Sequence, residues 1–237
     1  MKLSPAFRSF TSLAVLVLSA LFLAPPSCLA HKRDFVWTYE WFTPAKIERE
    51  IEFVATSKPE SHQTQAQVEF EFGVTERWVV APYFVHETEK GEPAMNGVKL
   101  EQRYRFGDFK RYRLLPSAYL ELKKMAREDY EGEAKGIVSY VGRNFNFAAN
   151  LIVSKKLVAG AKKDAAYAAG WSTRLSNDII GGVEVFGGLN EANPAAGPTF
   201  CFDLSGSQRI NLGVAFGLNE KAQDLSARVI YEYEWFN

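Results

Sequence analysis

Seven glutamates recur at every second position in three short stretches: Glu48, Glu50 and Glu52, then Glu69 and Glu71, then Glu232 and Glu234. A period of two places each set on one face of a β-strand. Lys99, Glu101, Arg103 and Arg105 share that period in a fourth stretch, and Glu121, Lys123 and Arg228 extend the series. Charges fixed in such rows can do two kinds of chemistry. Open to water, a carboxylate wall concentrates cations and makes a channel cation-selective. Closed against bases, it becomes an ion-pair network that fills a small interior. Acids crowded in a narrow space repel one another, so Lys99, Arg103, Arg105 and Lys123 are expected to reach across to them.

Other chemistry is thinly represented. Beyond residue 30 the histidines are His31, His62 and His86, and no pattern pairs any of them with a serine or cysteine nucleophile. A phosphate-cradling glycine loop, a Cys-x-x-Cys pair and a His-Glu-x-x-His helix are all absent from the sequence. Cys201, between Phe200 and Phe202, reads as a small hydrophobe. Gly181-Gly182 and Gly187-Gly188 read as places of curvature or close approach. Neither catalytic activity nor a metal or other cofactor is expected.

The elements that would carry the charged rows have a second, apolar face. In Val98–Phe106 one phase holds Val98, Leu100, Gln102, Tyr104 and Phe106, and the other holds Lys99, Glu101, Arg103 and Arg105. A greasy face backed by a charged one suits a wall between lipid and water. A soluble sandwich or lipocalin-like barrel also alternates, with its charges facing outward. Segments 47–56, 65–73, 77–87, 95–106, 116–124, 132–141, 144–155, 164–174, 178–189, 197–204, 208–218 and 225–236 all read as strands punctuated by turn residues. Pro82 lacks a ladder donor and is expected to mark a bulge. The even spacing leaves no room for a linker, so residues 47–237 are expected to form one all-β domain, an antiparallel up-and-down transmembrane β-barrel of about twelve strands.

Residues 1–30 look like a cleaved signal peptide: Lys2 and Arg8 precede the apolar run Leu13–Ala24, and Cys28-Leu29-Ala30 offers small residues before a cut at His31. That run is too short for a span of about 20 residues. Of 28 basic and 28 acidic side chains the cut removes two bases and no acid, so the remainder is slightly acidic and offers no footprint for nucleic acid. Longer links such as 88–94 and 125–131 are expected outside the cell, and tight ones such as 74–76 and 205–207 in the periplasm. Residues 31–46 fit neither class. Asp34–Phe42 alternates like a strand, and Tyr39-Glu40-Trp41-Phe42 echoes Tyr233-Glu234-Trp235-Phe236. The segment is read as an extra strand or as a periplasmic or lumenal piece covering the barrel's base.

Several motifs carry a family resemblance: Tyr39-Glu40-Trp41 followed by Thr43-Pro44 and Glu48–Glu52, Phe72–Trp78, Gly97–Arg105, Asn211–Leu218 and Ala227–Tyr233. Over nearly all of residues 35–237 the chain resembles the exported bacterial outer-membrane β-barrel proteins of the phenol-degradation-pathway (MetA-type) and porin-like group. The resemblance implies an outer-membrane location and transport, with no catalytic residues to carry over. The leading expectation is therefore passage of small solutes, with outer-membrane lipid and the assembly machinery as partners. The alternative is a structural or interaction barrel of the envelope whose lumen is closed by ion pairs.

Overall fold

In the computed structural model residues 33–90, 92 and 94–236 are described, so the expected signal peptide at 1–30 lies outside the described residues. Twelve strands follow in order: β1 (Glu48–Lys58), β2 (Gln63–Gly73), β3 (Trp78–Thr88), β4 (Met95–Arg105), β5 (Leu114–Met125), β6 (Glu131–Val141), β7 (Phe145–Lys156), β8 (Lys163–Arg174), β9 (Ile179–Gly188), β10 (Ala195–Ser205), β11 (Gln208–Gly217) and β12 (Leu225–Phe236). Each pairs antiparallel with its chain neighbours, and β1 pairs with β12 to close the barrel. Closure leaves no sheet edge with unpaired N–H and C=O groups, the condition for crossing a membrane with strands.

Alternation explains why these segments make a wall. Along β5 the residues Leu115, Ser117 and Tyr119 are buried while Leu114, Pro116, Leu120 and Leu122 are exposed. The exposed phase elsewhere carries Phe84, Leu100, Leu151, Val183, Phe216 and Val229. The buried phase holds Glu50, Glu52, Glu69, Glu71, Glu101, Glu184 and Glu232. Greasy outside and charged inside is the arrangement of a membrane barrel and the reverse of a soluble one.

Pro82 makes no bulge. Its pairing with Leu100 of β4 is intact, while the ladder toward β2 lapses between the Glu69–Tyr83 and Phe72–Val80 pairs and resumes in the same register. A proline removes one donor, and here the neighbouring strand on one side goes without it. The irregularity in register lies instead at Asp203–Ser205, between β10 and β11.

Links 74–77, 106–113, 142–144, 175–178 and 206–207 lie at one end of the barrel, and 59–62, 89–90, 126–130, 157–162, 189–194 and 218–224 at the other. Residues 33–46 form no strand. They join the first end, where Ile47 N–H bonds to the Gly73 carbonyl, and turn inward.

Candidate functional site: a lumenal segment and its carboxylate wall

A chain entering a barrel must find a partner for every backbone N–H it takes out of water. Val36, Trp37, Thr38, Tyr39, Trp41 and Ala45 find theirs on wall side chains. The Glu184 carboxylate, on β9, accepts from the N–H groups of Val36 (2.8 Å), Trp37 (2.9 Å) and Thr38 (2.7 Å). Asn150 of β7 pairs with Tyr39 in both directions, its Oδ1 accepting from the N–H and its Nδ2 donating to the carbonyl. Ser139 Oγ of β6 accepts from Trp41 N–H at 2.9 Å. The Asp34 carboxylate accepts from Ser172 Oγ at 2.8 Å and from Asn146, and Arg209 donates to the Arg33 carbonyl. Arg228 donates to the Val36 carbonyl at 2.9 Å. Glu40 Oε2 accepts from Asp34 N–H at 2.6 Å, which folds the segment back on itself.

The aromatic residues of the segment fill what remains. Phe35 and Trp41 are almost fully buried. Trp37 stacks on Phe186, with ring centroids 4.9 Å apart, and Tyr39 meets Tyr119 edge-on. Lys135 lies 3.9 Å from the Tyr39 ring centre, and Arg105 lies 4.8 Å from that of Trp41. Two glycines of the wall make room. A Cβ on Gly170 would stand 2.6 Å from the Phe35 ring, and one on Gly213 would stand 2.6 Å from the Trp37 ring. The segment thus divides the lumen. On one side is a cavity of about 490 Å³ that includes Trp37, Tyr39, Lys58 and Lys123 in its lining; on the other is one of about 860 Å³ bounded by Asp34, Phe42, Arg143 and Arg209.

Strand register assembles the acids. Glu50 stands opposite Glu234 on one side and Glu71 on the other, and Glu52 likewise stands between Glu232 and Glu69. All six are buried. Glu48 sits at the start of β1, where its carboxylate accepts from Ala45 N–H and pins the entry of the segment.

The bases do not meet this wall as expected. Arg103 does, with Glu71 and, on its own strand, Glu101; between Arg103 and Glu71 lies β3, whose inward Val79 and Ala81 are small enough to reach over. Lys99 does not. The register puts Tyr83 between Lys99 and Glu69, so the ammonium lies over that ring (4.5 Å) and turns to Glu121 at 2.8 Å. Arg105 donates to the Glu76 carbonyl. Lys123 has no acidic partner within 4.0 Å among the described residues and lines the cavity of about 490 Å³. Arg228 bonds to Thr56 Oγ1 at 2.9 Å and to the segment.

The counter-ion that spacing alone missed is Arg33, which bonds to Glu52 at 3.2 Å from within the segment. Glu184, Asn150, Arg209 and Lys135 were missed too. Glu184 carried a readable signal, since it is the only charge in the neutral stretch Ile179–Gly188. The exposed His62 bonds to the Glu60 carbonyl and the exposed His86 to Asn96, away from any nucleophile. Cys201 is buried, and its Sγ donates to the Asp34 carbonyl at 3.1 Å.

No protein-family model matches the chain, and no curated protein does. Solved structures match it in fold. The KdgM porin in complex with disordered oligogalacturonate aligns with a TM-score of 0.62 at 9% identity, covering 79% of this chain and 99% of that one. An outer-membrane channel from Pseudomonas putida F1 gives 0.57 at 8% identity over 82% of this chain and 97% of that one. The NanC porin gives 0.52 at 10% identity over 80% and 99%. Identities this low establish a shared barrel architecture, and the finer resemblance to the phenol-degradation group is not among what they establish.

Proposed function

We propose that the chain is a porin-like outer-membrane channel for small solutes, held closed by its own residues 33–45. One observation carries this reading: the segment that separates the two lumenal cavities is attached through side chains, so it can leave without breaking a single strand pairing. The neighbours named as porins and an outer-membrane channel support the same role and location. The apolar outer wall supplies the contact with outer-membrane lipid, and delivery by the assembly machinery follows from that location. Once the segment withdraws, the Glu50 and Glu52 rows would face water and attract cations, more strongly at low salt, where the screening length grows from about 10 Å at 0.1 M to about 30 Å at 0.01 M.

The test is single-channel conductance in planar bilayers. The protein spanning residues 31–237 should be nearly silent, whereas a chain beginning at residue 46 should conduct and show cation selectivity in a salt gradient. Replacing Glu50, Glu52 and Glu71 by Gln in that shortened chain should abolish the selectivity. The ion pairs of Arg103 with Glu71 and Glu101 favour a second reading, a closed structural barrel. A shortened chain that folds but does not conduct decides for it.

A further inference from the structure

Two overlapping sets of carboxylates approach closely enough to share an ion: Glu50, Glu52 and Glu232, and Glu52, Glu69 and Glu71, with the oxygens of each set within 4.8 Å of one another. That spacing alone is only an acidic cluster. The segment brings an independent observation to it. Thr43 is 1% exposed, its hydroxyl has no hydrogen-bond partner, and the residue lines a small cavity of about 20 Å³ together with Glu50, Glu52, Glu71, Arg33 and Arg103. Buried hydroxyls are nearly always partnered, so an unpartnered one on a residue lining a small, charged cavity points to something bound there.

The charges agree. The guanidiniums of Arg33 and Arg103 meet Glu52 and Glu71. Glu50, Glu69 and Glu232 have no cationic partner within 4.0 Å among the described residues, and Glu69 Oε1, Glu71 Oε2 and Glu232 Oε2 accept no hydrogen bond. Like charges directly opposite one another in a sheet are destabilising, and here the register puts Glu52 opposite both Glu69 and Glu232. We propose that a calcium ion binds among these carboxylates on the side lined by Thr43, takes the Thr43 hydroxyl as a further ligand, and ties residues 33–45 to β1 and β2. All the donors are hard oxygens, which selects calcium, magnesium or manganese over softer metals. A cation about 2.4 Å from each ligand accommodates oxygens up to about 4.8 Å apart. Magnesium keeps several waters, and a cavity of this size holds about one, so calcium fits better.

Isothermal titration of calcium into the chelator-treated, detergent-folded protein spanning residues 31–237 tests the site without any measurement of transport. One equivalent should bind. Thr43→Val should weaken binding about 10-fold and Glu50→Gln with Glu69→Gln about 100-fold or more, while Glu133→Gln, on the far wall, leaves it unchanged. Calcium should also raise the melting temperature of the native chain in a concentration-dependent way, and lose that effect in the double variant. Folding of each variant is checked by gel mobility of the unheated barrel. Absence of binding to the native chain at millimolar calcium overturns the proposal, since the acids would then be neutralised by protons. Binding that is indifferent to both the Thr43 and the double Glu substitutions overturns it as well. Tighter binding of magnesium than of calcium overturns the choice of ion.

Discussion

Glu184→Gln should release residues 33–45 while leaving the barrel intact. The carboxylate accepts three backbone N–H bonds at 2.7–2.9 Å from consecutive residues. A bond to a charged acceptor contributes about 1.5–3 kcal/mol net. Val36 N–H bonds to Oε1 while Trp37 and Thr38 share Oε2, so a glutamine whose oxygen takes the Oε2 place keeps two bonds at the weaker neutral strength and leaves Val36 N–H facing an NH₂, a gross loss of about 3–6 kcal/mol. Water entering from the adjoining cavity recovers part of it, and we take about 3 kcal/mol as the net cost. At 1.4 kcal/mol per decade this raises the released population about 100-fold.

Cys201 reports that population directly. It is the only cysteine beyond residue 30, it is buried, and its Sγ donates to the Asp34 carbonyl of the docked segment. When release is fast compared with labelling, the rate of reaction with a small maleimide tracks the released fraction. The variant should label about 100-fold faster than the native chain at equal melting temperature. A rate within about twofold of native, equivalent to roughly 0.4 kcal/mol, would refute the idea that Glu184 holds the segment.

Three further outcomes are expected. Gly170→Val should expel Phe35, because even a Cβ there stands 2.6 Å from its ring; channel openings should become frequent, and an unchanged silent trace in a folded variant would show that the segment does not occlude. With Cys201 replaced by Ser, a cysteine at position 90 should react with an impermeant reagent on intact cells and one at position 75 should not; the reverse result inverts the orientation. Burial, and then the neighbouring Asp34 carboxylate, push the Glu40 carboxyl well above the usual carboxylate range. The docked segment therefore holds a proton that the released one gives up, so docking is strongest below about pH 4.5 and weakens as pH rises through the raised value. Open probability should climb with pH over that window, and Glu40→Gln should flatten the climb.

The wall was legible from residue alternation because lipid on one side and a polar lumen on the other impose a period of two on every strand. The fate of residues 34–42 was not, and the echoing motifs show why. Tyr233-Glu234-Trp235-Phe236 completes β12, with all four residues paired to β1 and Tyr233 paired also to Gln208 of β11. Tyr39-Glu40-Trp41-Phe42 has the same residue types in the same order and forms no strand at all. Alternation says only that a segment has two different sides; it carries no information about who receives the backbone N–H groups. For residues 36–39 and 41 the receivers are Glu184, Asn150 and Ser139, between 98 and 148 positions away in the chain. The charged pairing failed in the same way, since Lys99 was within reach of Glu69 until Tyr83 was placed between them. Both errors come from non-local geometry: the closed register decides which side chains face one another across the lumen, and the lumen then selects whichever segment of chain can satisfy them.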